Sequence, residues 1–182
     1  MLVTATILVA LLIQEFQKQP LINYSKFGFS FSFPSASTIA EEGNESGGTI
    51  HCLYESKKES IAIAWWTVEP MSQADVEMVL EDAISNMTIA FEGSNITIEG
   101  AGGEISKGEK MSRLACSHQM VYQGVRLEIL ANSHLTNEVF LVAGVWYCNI
   151  THRRFVLLVR SDSSEEIAFR EFQRLADSFT CH

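Results

Sequence analysis

The sequence predicts an α+β domain: an antiparallel β-meander with helices packed against it. Three observations lead there. From about residue 95 to 160, strand-like stretches follow one another across short connections that contain Gly or Asn, the residues that tight hairpin turns require. Two other segments, 72–91 and 164–179, place their apolar residues at helical spacing instead. The chain has 182 residues, 47% hydrophobic and 19% charged, which suits one domain that buries its own core and is too apolar for disorder.

Taken in order, residues 1–13 (MLVTATILVALLI) are apolar and uncharged. They resemble the centre of a signal peptide or a short anchor, although no Lys or Arg precedes them and no small-x-small cleavage site follows. As a helix they reach about 20 Å, short of a ~30 Å bilayer core. Residues 14–26 read as a polar connector, and 27–182 as the domain proper. In Phe27-Gly28-Phe29-Ser30-Phe31-Ser32-Phe33-Pro34 the rings alternate with small residues. All four therefore fall on one face of a strand that Pro34 ends. Residues 35–48, small, polar and acidic, read as a loop. Strands follow at 49–55 and 60–68 around a charged turn. In the second, Ile61, Ile63 and Trp65 share one face and Ala62, Ala64 and Trp66 the other, the pattern of a central strand covered on both sides.

The first helix, 72–91, has Ser72 as N-cap and Asp75 in its first turn. Val76, Leu80, Ala83, Ile84 and Met87 lie on its buried stripe, and Gly93 stands where a stop is expected. Five meander strands are expected near 95–106, 110–122, 125–135, 138–148 and 153–160. Their turns fall at 106–109, Gln123-Gly124, Thr136-Asn137 and 149–152, and Gly100, Gly102 and Gly103 suggest a bulge in the first strand. The closing helix, 164–179, begins at a Ser163–Glu166 capping box and turns Phe169, Phe172, Leu175, Ala176 and Phe179 to the sheet.

Five of the seven asparagines start an Asn-x-Ser/Thr triplet: Asn23, Asn44, Asn86, Asn95 and Asn149. With 29 Ser and Thr in the chain, about one such triplet is expected by chance. The excess points to N-glycosylation of an exported, extracytoplasmic protein, secreted or held at the cell surface. Asn86, inside a helix, is the acceptor expected to stay unmodified. Four widely spaced cysteines, Cys52, Cys116, Cys148 and Cys181, without a Cys-x-x-Cys, suit two disulfides in an oxidising compartment. Cys116 with Cys148 and Cys52 with Cys181 is the favoured of three pairings.

The order of elements, with FGFSFSFP at 27–34 and FREFQRLADSF at 169–179, resembles the PsbP-like superfamily over about residues 24–181. The resemblance implies an antiparallel sheet sandwiched between helices, an α/β/α sandwich. That superfamily includes an extrinsic photosystem II subunit, a Ran-binding nuclear import factor and many exported prokaryotic proteins of unknown role. The triplets and cysteines match neither of the first two branches and point to an exported prokaryotic or archaeal member. The shared stretches are structural, so no binding residue carries over.

The net charge of −9 gives no electrostatic basis for nucleic-acid binding. No phosphate loop, nucleophile elbow or other catalytic constellation is present, so the chain reads as non-enzymatic and without a cofactor. His118, two residues after Cys116, shares a strand face with it. Pairing about Gln123-Gly124 would however set His134 opposite residue 113 and scatter the ligands, so no metal site is assigned. Trp65-Trp66 and Trp146-Tyr147 each send one ring to either side of the sheet. One ring left exposed would anchor a partner. The functional expectation is a binding or scaffold domain with a protein partner or self-assembly and, through 1–13, membrane contact. A surface-filament or layer subunit and a metal protein or enzyme are the alternatives.

Overall fold

The structure is a computed structural model that describes residues 20–35, 37–54, 59–95, 101–131 and 134–182. The segment 1–13 lies outside the described residues. Among those described, no helix is long and apolar enough to cross a membrane.

The first paired element is a hairpin of β1 (Leu21–Lys26) and β2 (Phe29–Pro34). A seven-stranded antiparallel sheet follows: β3 (Ser37–Asn44), β4 (Gly47–Tyr54), β5 (Glu59–Thr67), β6 (Ala101–Ala115), β7 (His118–Ala131), β8 (His134–Cys148) and β9 (Arg153–Ser161), in the order β3-β4-β5-β9-β8-β7-β6. Helix α1 (Gln73–Asn95) covers one face of the sheet and α2 (Glu165–Ser178) the other. This is the expected sandwich.

The inner face is the larger core. On it Ile61, Ile63, Trp65, Phe155, Leu157 and Trp146 are buried beneath α2 and the β1–β2 hairpin. Phe29, Phe31 and Phe33 enter this core as the alternation requires. Phe27 does not continue the strand. It takes positive φ with Gly28 in the hairpin turn and lies against Trp65, ring centroids 5.0 Å apart. Phe179, just after α2, meets Phe29, Phe31, Trp146 and Phe155. On the opposite face Val76, Leu80 and Ile84 of α1 pack on Val121, Val125, Leu127, Val139, Ala143 and Val145.

Both helix starts are capped. At α1, Ser72 N–H and Oγ–H donate to Asp75 (2.7 Å each) and Asp75 N–H returns a bond to Ser72 Oγ at 3.3 Å. At α2 the cap is Ser164, whose Oγ accepts from Ile167 N–H at 3.2 Å. Ser163 instead donates to Glu59, so the cap lies one residue later than expected and, with Ile167 at its third position, the expected Ser163–Glu166 box does not form.

Four expectations are corrected. Residues 21–26, read as connector, form β1, because the Phe-rich strand needs a backbone partner on its own edge. Residues 37–44, read as loop, form the edge strand β3; its polar side chains face solvent at a sheet edge and therefore look loop-like. The stretch from 101 to 148 holds three long strands rather than four. Its first turn is at Cys116-Ser117, and Gln123-Gly124 lies mid-strand. There Gly124 serves packing: a Cβ would sit 2.7 Å from the Phe169 ring. The bulge falls between Lys107 and Lys110, where Gln123 Nε2 donates to Gly108 O at 2.6 Å, and not at Gly102 or Gly103.

Candidate functional site

Two features stand out, one on each face of the sheet. The first comes from the true register of the meander. The β6–β7 hairpin closes through Cys116 and Ser117 at φ of +42° and +66°. Such a turn asks for positive φ at both central residues and normally takes Asn or Gly. Here it sets His118 at the start of β7, in line with Cys148 at the end of β8 by continuation of the Met120–Trp146 pairing.

A second strand-like contact completes the assembly. Beyond α2, Thr180 bridges Ser30 of β2, with Ser30 N–H to Thr180 O and Thr180 N–H to Ser30 O both 2.8 Å. That bridge carries Cys181 and His182 to the same end of β8. His118, Cys148, Cys181 and His182 each then offer one donor atom, and the four atoms lie within 4.8 Å of one another. His182 Nδ1 is 3.8 Å from Cys148 Sγ and 3.6 Å from Cys181 Sγ. The two imidazole rings meet edge to face, centroids 5.6 Å apart. These are the described residues that could hold a metal ion.

The site is largely closed. Cys148 and Cys181 are buried, His118 and Cys116 half-buried, and His182 exposed. His118 Nε2 is buried without a hydrogen-bond partner. Burial first, then the neighbouring His182, holds the His118 imidazole below its ordinary range. A hydrogen bond with the Cys181 thiol pulls Cys116 down, while the same bond and burial push Cys181 up.

All four cysteines are free thiols. The Cys52–Cys181 pairing is not available. Cys52 shares a row with Ile61, Val159 and Val142, so β5 and β9 separate it from β8, and Cys148 lies six residues further along β8. Neighbouring strands are about 4.8 Å apart and a disulfide needs Cα atoms within about 7 Å. Burial alone raises the Cys52 thiol to about 12, which makes it an inert core group. The scattering argument against a metal site also lapses, since it rested on a turn at Gln123-Gly124. His134 does stand apart, opposite Ala131.

The second feature is an open half of the sheet. Helix α1 lies over β6, β7 and β8, and its core reaches as far as Ala64 of β5, which leaves the same face of β3, β4 and the two ends of β5 more open. His51 and Leu53 of β4 and Trp66 of β5 are exposed there, Leu53 at 53% and Trp66 at 38%. Ala40 and Ala62 flank His51 in register. The Arg154 guanidinium lies 4.8 Å over the Trp66 ring and holds it in place. The partner rings are not available: Trp65 and Trp146 are fully buried and Tyr147 is bonded to His152. The central-strand expectation for β5 therefore holds in full for its inner face, while on the outer face Ala64 packs in the α1 core and Trp66 is exposed.

Of the glycan acceptors, Asn44, Asn86 and Asn149 are exposed. Asn44 is in the β3–β4 turn region, its Oδ1 accepting from Ser46 N–H at 2.8 Å. Asn149 follows β8. Asn23 is exposed on β1 rather than in a connector and accepts from Ser32 Oγ at 2.7 Å. Asn95 ends α1, and its side chain lies outside the described set.

No family model and no curated protein matches the sequence. Solved structures do match over nearly the whole chain. The solution structure of PsbP (CyanoP) from Synechocystis sp. PCC 6803 aligns with a TM-score of 0.59 at 13% identity, covering 91% of this chain and 94% of that one. The Ran-binding protein Mog1p of Saccharomyces cerevisiae aligns with the same TM-score at 9% identity, covering 90% and 96%. Identities this low speak to architecture, and the architecture agrees with the resemblance read from the sequence: the chain has the PsbP-like fold.

Proposed function

We propose that the chain is a non-catalytic binding or scaffold domain that works outside the cytoplasm and docks a protein partner on the open β3–β5 face. The observation that carries the reading is Trp66, an exposed indole held by Arg154 at one end of a face that runs through Ala64, then His51 and Ala62, to exposed Leu53 at the other. A rigid aromatic surrounded by flat, small residues is the usual anchor of a protein interface. One neighbour of the same fold, Mog1p, is a Ran-binding protein, which supports protein binding as a use of this scaffold. The extracytoplasmic part rests on the asparagine triplets, four of which present asparagines at exposed positions.

A glycan on Asn44 would stand beside the Trp66 end of the patch, because Asn44, Gly47 and Trp66 share a row. The partner then approaches from the Leu53 side. The test is recovery of a partner from a native membrane and surface fraction, followed by binding to Trp66→Ala and Leu53→Ala. Both side chains are exposed, so folding should survive, while affinity should fall tenfold or more for at least one, in line with a hot-spot loss of about 2 kcal/mol. Unchanged affinity in the double variant would remove the assigned face. Intact mass before and after glycosidase tests the location: an unglycosylated native protein would overturn it.

A further inference from the structure

The four donors gathered at the end of β8 form a site that the binding function does not use. The two edges that meet at His182 have the length of those in a coordination shell. An ion held tetrahedrally at about 2.3 Å from sulfur and about 2.0 Å from nitrogen fixes sulfur–nitrogen edges near 3.5 Å. The His182 edges to Cys181 and Cys148 are 3.6 and 3.8 Å. We infer that His118, Cys148, Cys181 and His182 form a tetrahedral site for a thiophilic divalent transition ion of the zinc class.

Three independent observations meet in this assignment. One is the donor set, two sulfurs and two imidazole nitrogens within a 4.8 Å sphere of separations. Two thiolates balance the charge of a divalent ion, so the buried site would carry no net charge. Oxygen-preferring cations such as calcium and magnesium have nothing to bind here. Another is His118 Nε2, buried beside the cluster with no hydrogen-bond partner. A buried polar nitrogen without a partner costs free energy, and a metal ion supplies one. The last is the backbone. Cys116 and Ser117 hold the left-handed conformation in a two-residue turn although neither is Gly, Asn or Asp, at a cost on the order of 1 kcal/mol each. The turn puts His118 in reach of Cys148.

In the ion-bound state Cys148 and Cys181 each give up a proton and coordinate through sulfur, and His118 and His182 bind as neutral rings. Cys116 stays outside the four. The ion would tie β7 and β8 to the segment that follows α2.

The experiment uses the full chain, purified and reduced, titrated with Co²⁺ and then Zn²⁺. One Co²⁺ per chain should bind with thiolate-to-cobalt charge-transfer bands and tetrahedral d–d absorption, be displaced by Zn²⁺, and release about two protons per ion. His182→Ala, at an exposed position that cannot disturb the core, should weaken binding at least about tenfold. Cys148→Ser should remove most of the charge-transfer intensity. Cys52→Ser is the control and should leave the titration unchanged. The inference is overturned if reduced wild type gives no thiolate–cobalt bands. It is also overturned if His182→Ala and Cys148→Ser bind as wild type does, or if Cys52→Ser is as damaging as Cys148→Ser. Peptide mapping of the unreduced protein separates the competing fate of these thiols. A disulfide within Cys116, Cys148 and Cys181 whose reduction creates no ion affinity refutes the site. One whose reduction restores the bands upholds it. None of these outcomes depends on whether a protein partner binds at Trp66.

Discussion

Single atoms decide how closely α2 can approach the sheet. Gly124 and Gly144 lie directly beneath it, and a Cβ on either would come within 2.7 Å of the Phe169 ring or 2.5 Å of the Phe172 ring. Neither position needs positive φ, so their role is space. Gly124→Ala and Gly144→Ala should each destabilise by about 1–3 kcal/mol through overpacking, read as a lowered urea midpoint with unchanged m-value. Gly108→Ala, whose Cβ would meet only a carbonyl at 3.5 Å, should cost less than about 1 kcal/mol and serves as the comparison. An equal loss at all three would show that glycine matters here for the backbone and not for packing. The same residue type thus carries two meanings that the sequence does not separate. Gln123-Gly124 has the composition of a hairpin turn, and only the ring above it reveals a packing glycine.

Among the elements, those that announce themselves locally were legible. Helix α1 shows its stripe and its cap together. The cap is also where pH enters. The Ser72 hydroxyl and N–H hold the Asp75 carboxyl below its usual range. A depressed carboxylate adds stability that is full above its unfolded value, near 4, and is lost as pH falls through its folded value. Ser72→Ala should cost about 1 kcal/mol at pH 7, and its gap to wild type should close as pH drops below about 4. A gap that persisted in acid, by urea unfolding, would mean that the Ser72 hydroxyl and not the charged Asp75 makes the cap. Strands β1 and β3 were hidden for the opposite reason. Their side chains face solvent at an edge, so nothing in their alternation marks them, and what makes them strands is the partner each supplies with backbone bonds. The ligand cluster was hidden by register. Cys116 with His118 was visible as a close pair, but the meeting of His118 with Cys148, Cys181 and His182 depends on a turn at 116–117 and a bridge from Ser30 to Thr180. Neither contains a Gly or Asn to signal it.

On the scale of the molecule, one sheet separates two cores, and the proposed sites divide between them. The cysteine–histidine cluster belongs to the inner layer, where Phe179 leads straight into Thr180, Cys181 and His182 and packs on Trp146. The α1 layer shares no helix contact with it. Two large-to-small substitutions of comparable cost should therefore differ in what they do to the ion. Phe179→Ala removes ring contacts to Phe29, Phe31, Trp146 and Phe155, a loss of about 3–5 kcal/mol. It also frees the segment that carries two of the four ligands. Ile84→Ala empties the fully buried position beneath α1 at a cost of about 2–5 kcal/mol, but leaves the chain from 179 to 182 and the Ser30–Thr180 bridge untouched. Under conditions where both variants stay folded, Co²⁺ affinity should fall in Phe179→Ala and hold within about twofold in Ile84→Ala. The two losses of stability should add in the double variant to within about 0.5 kcal/mol, since the sites share no partner. An Ile84→Ala protein that lost the ion equally would mean that the sheet transmits strain from one layer to the other, and the two cores would have to be treated as one.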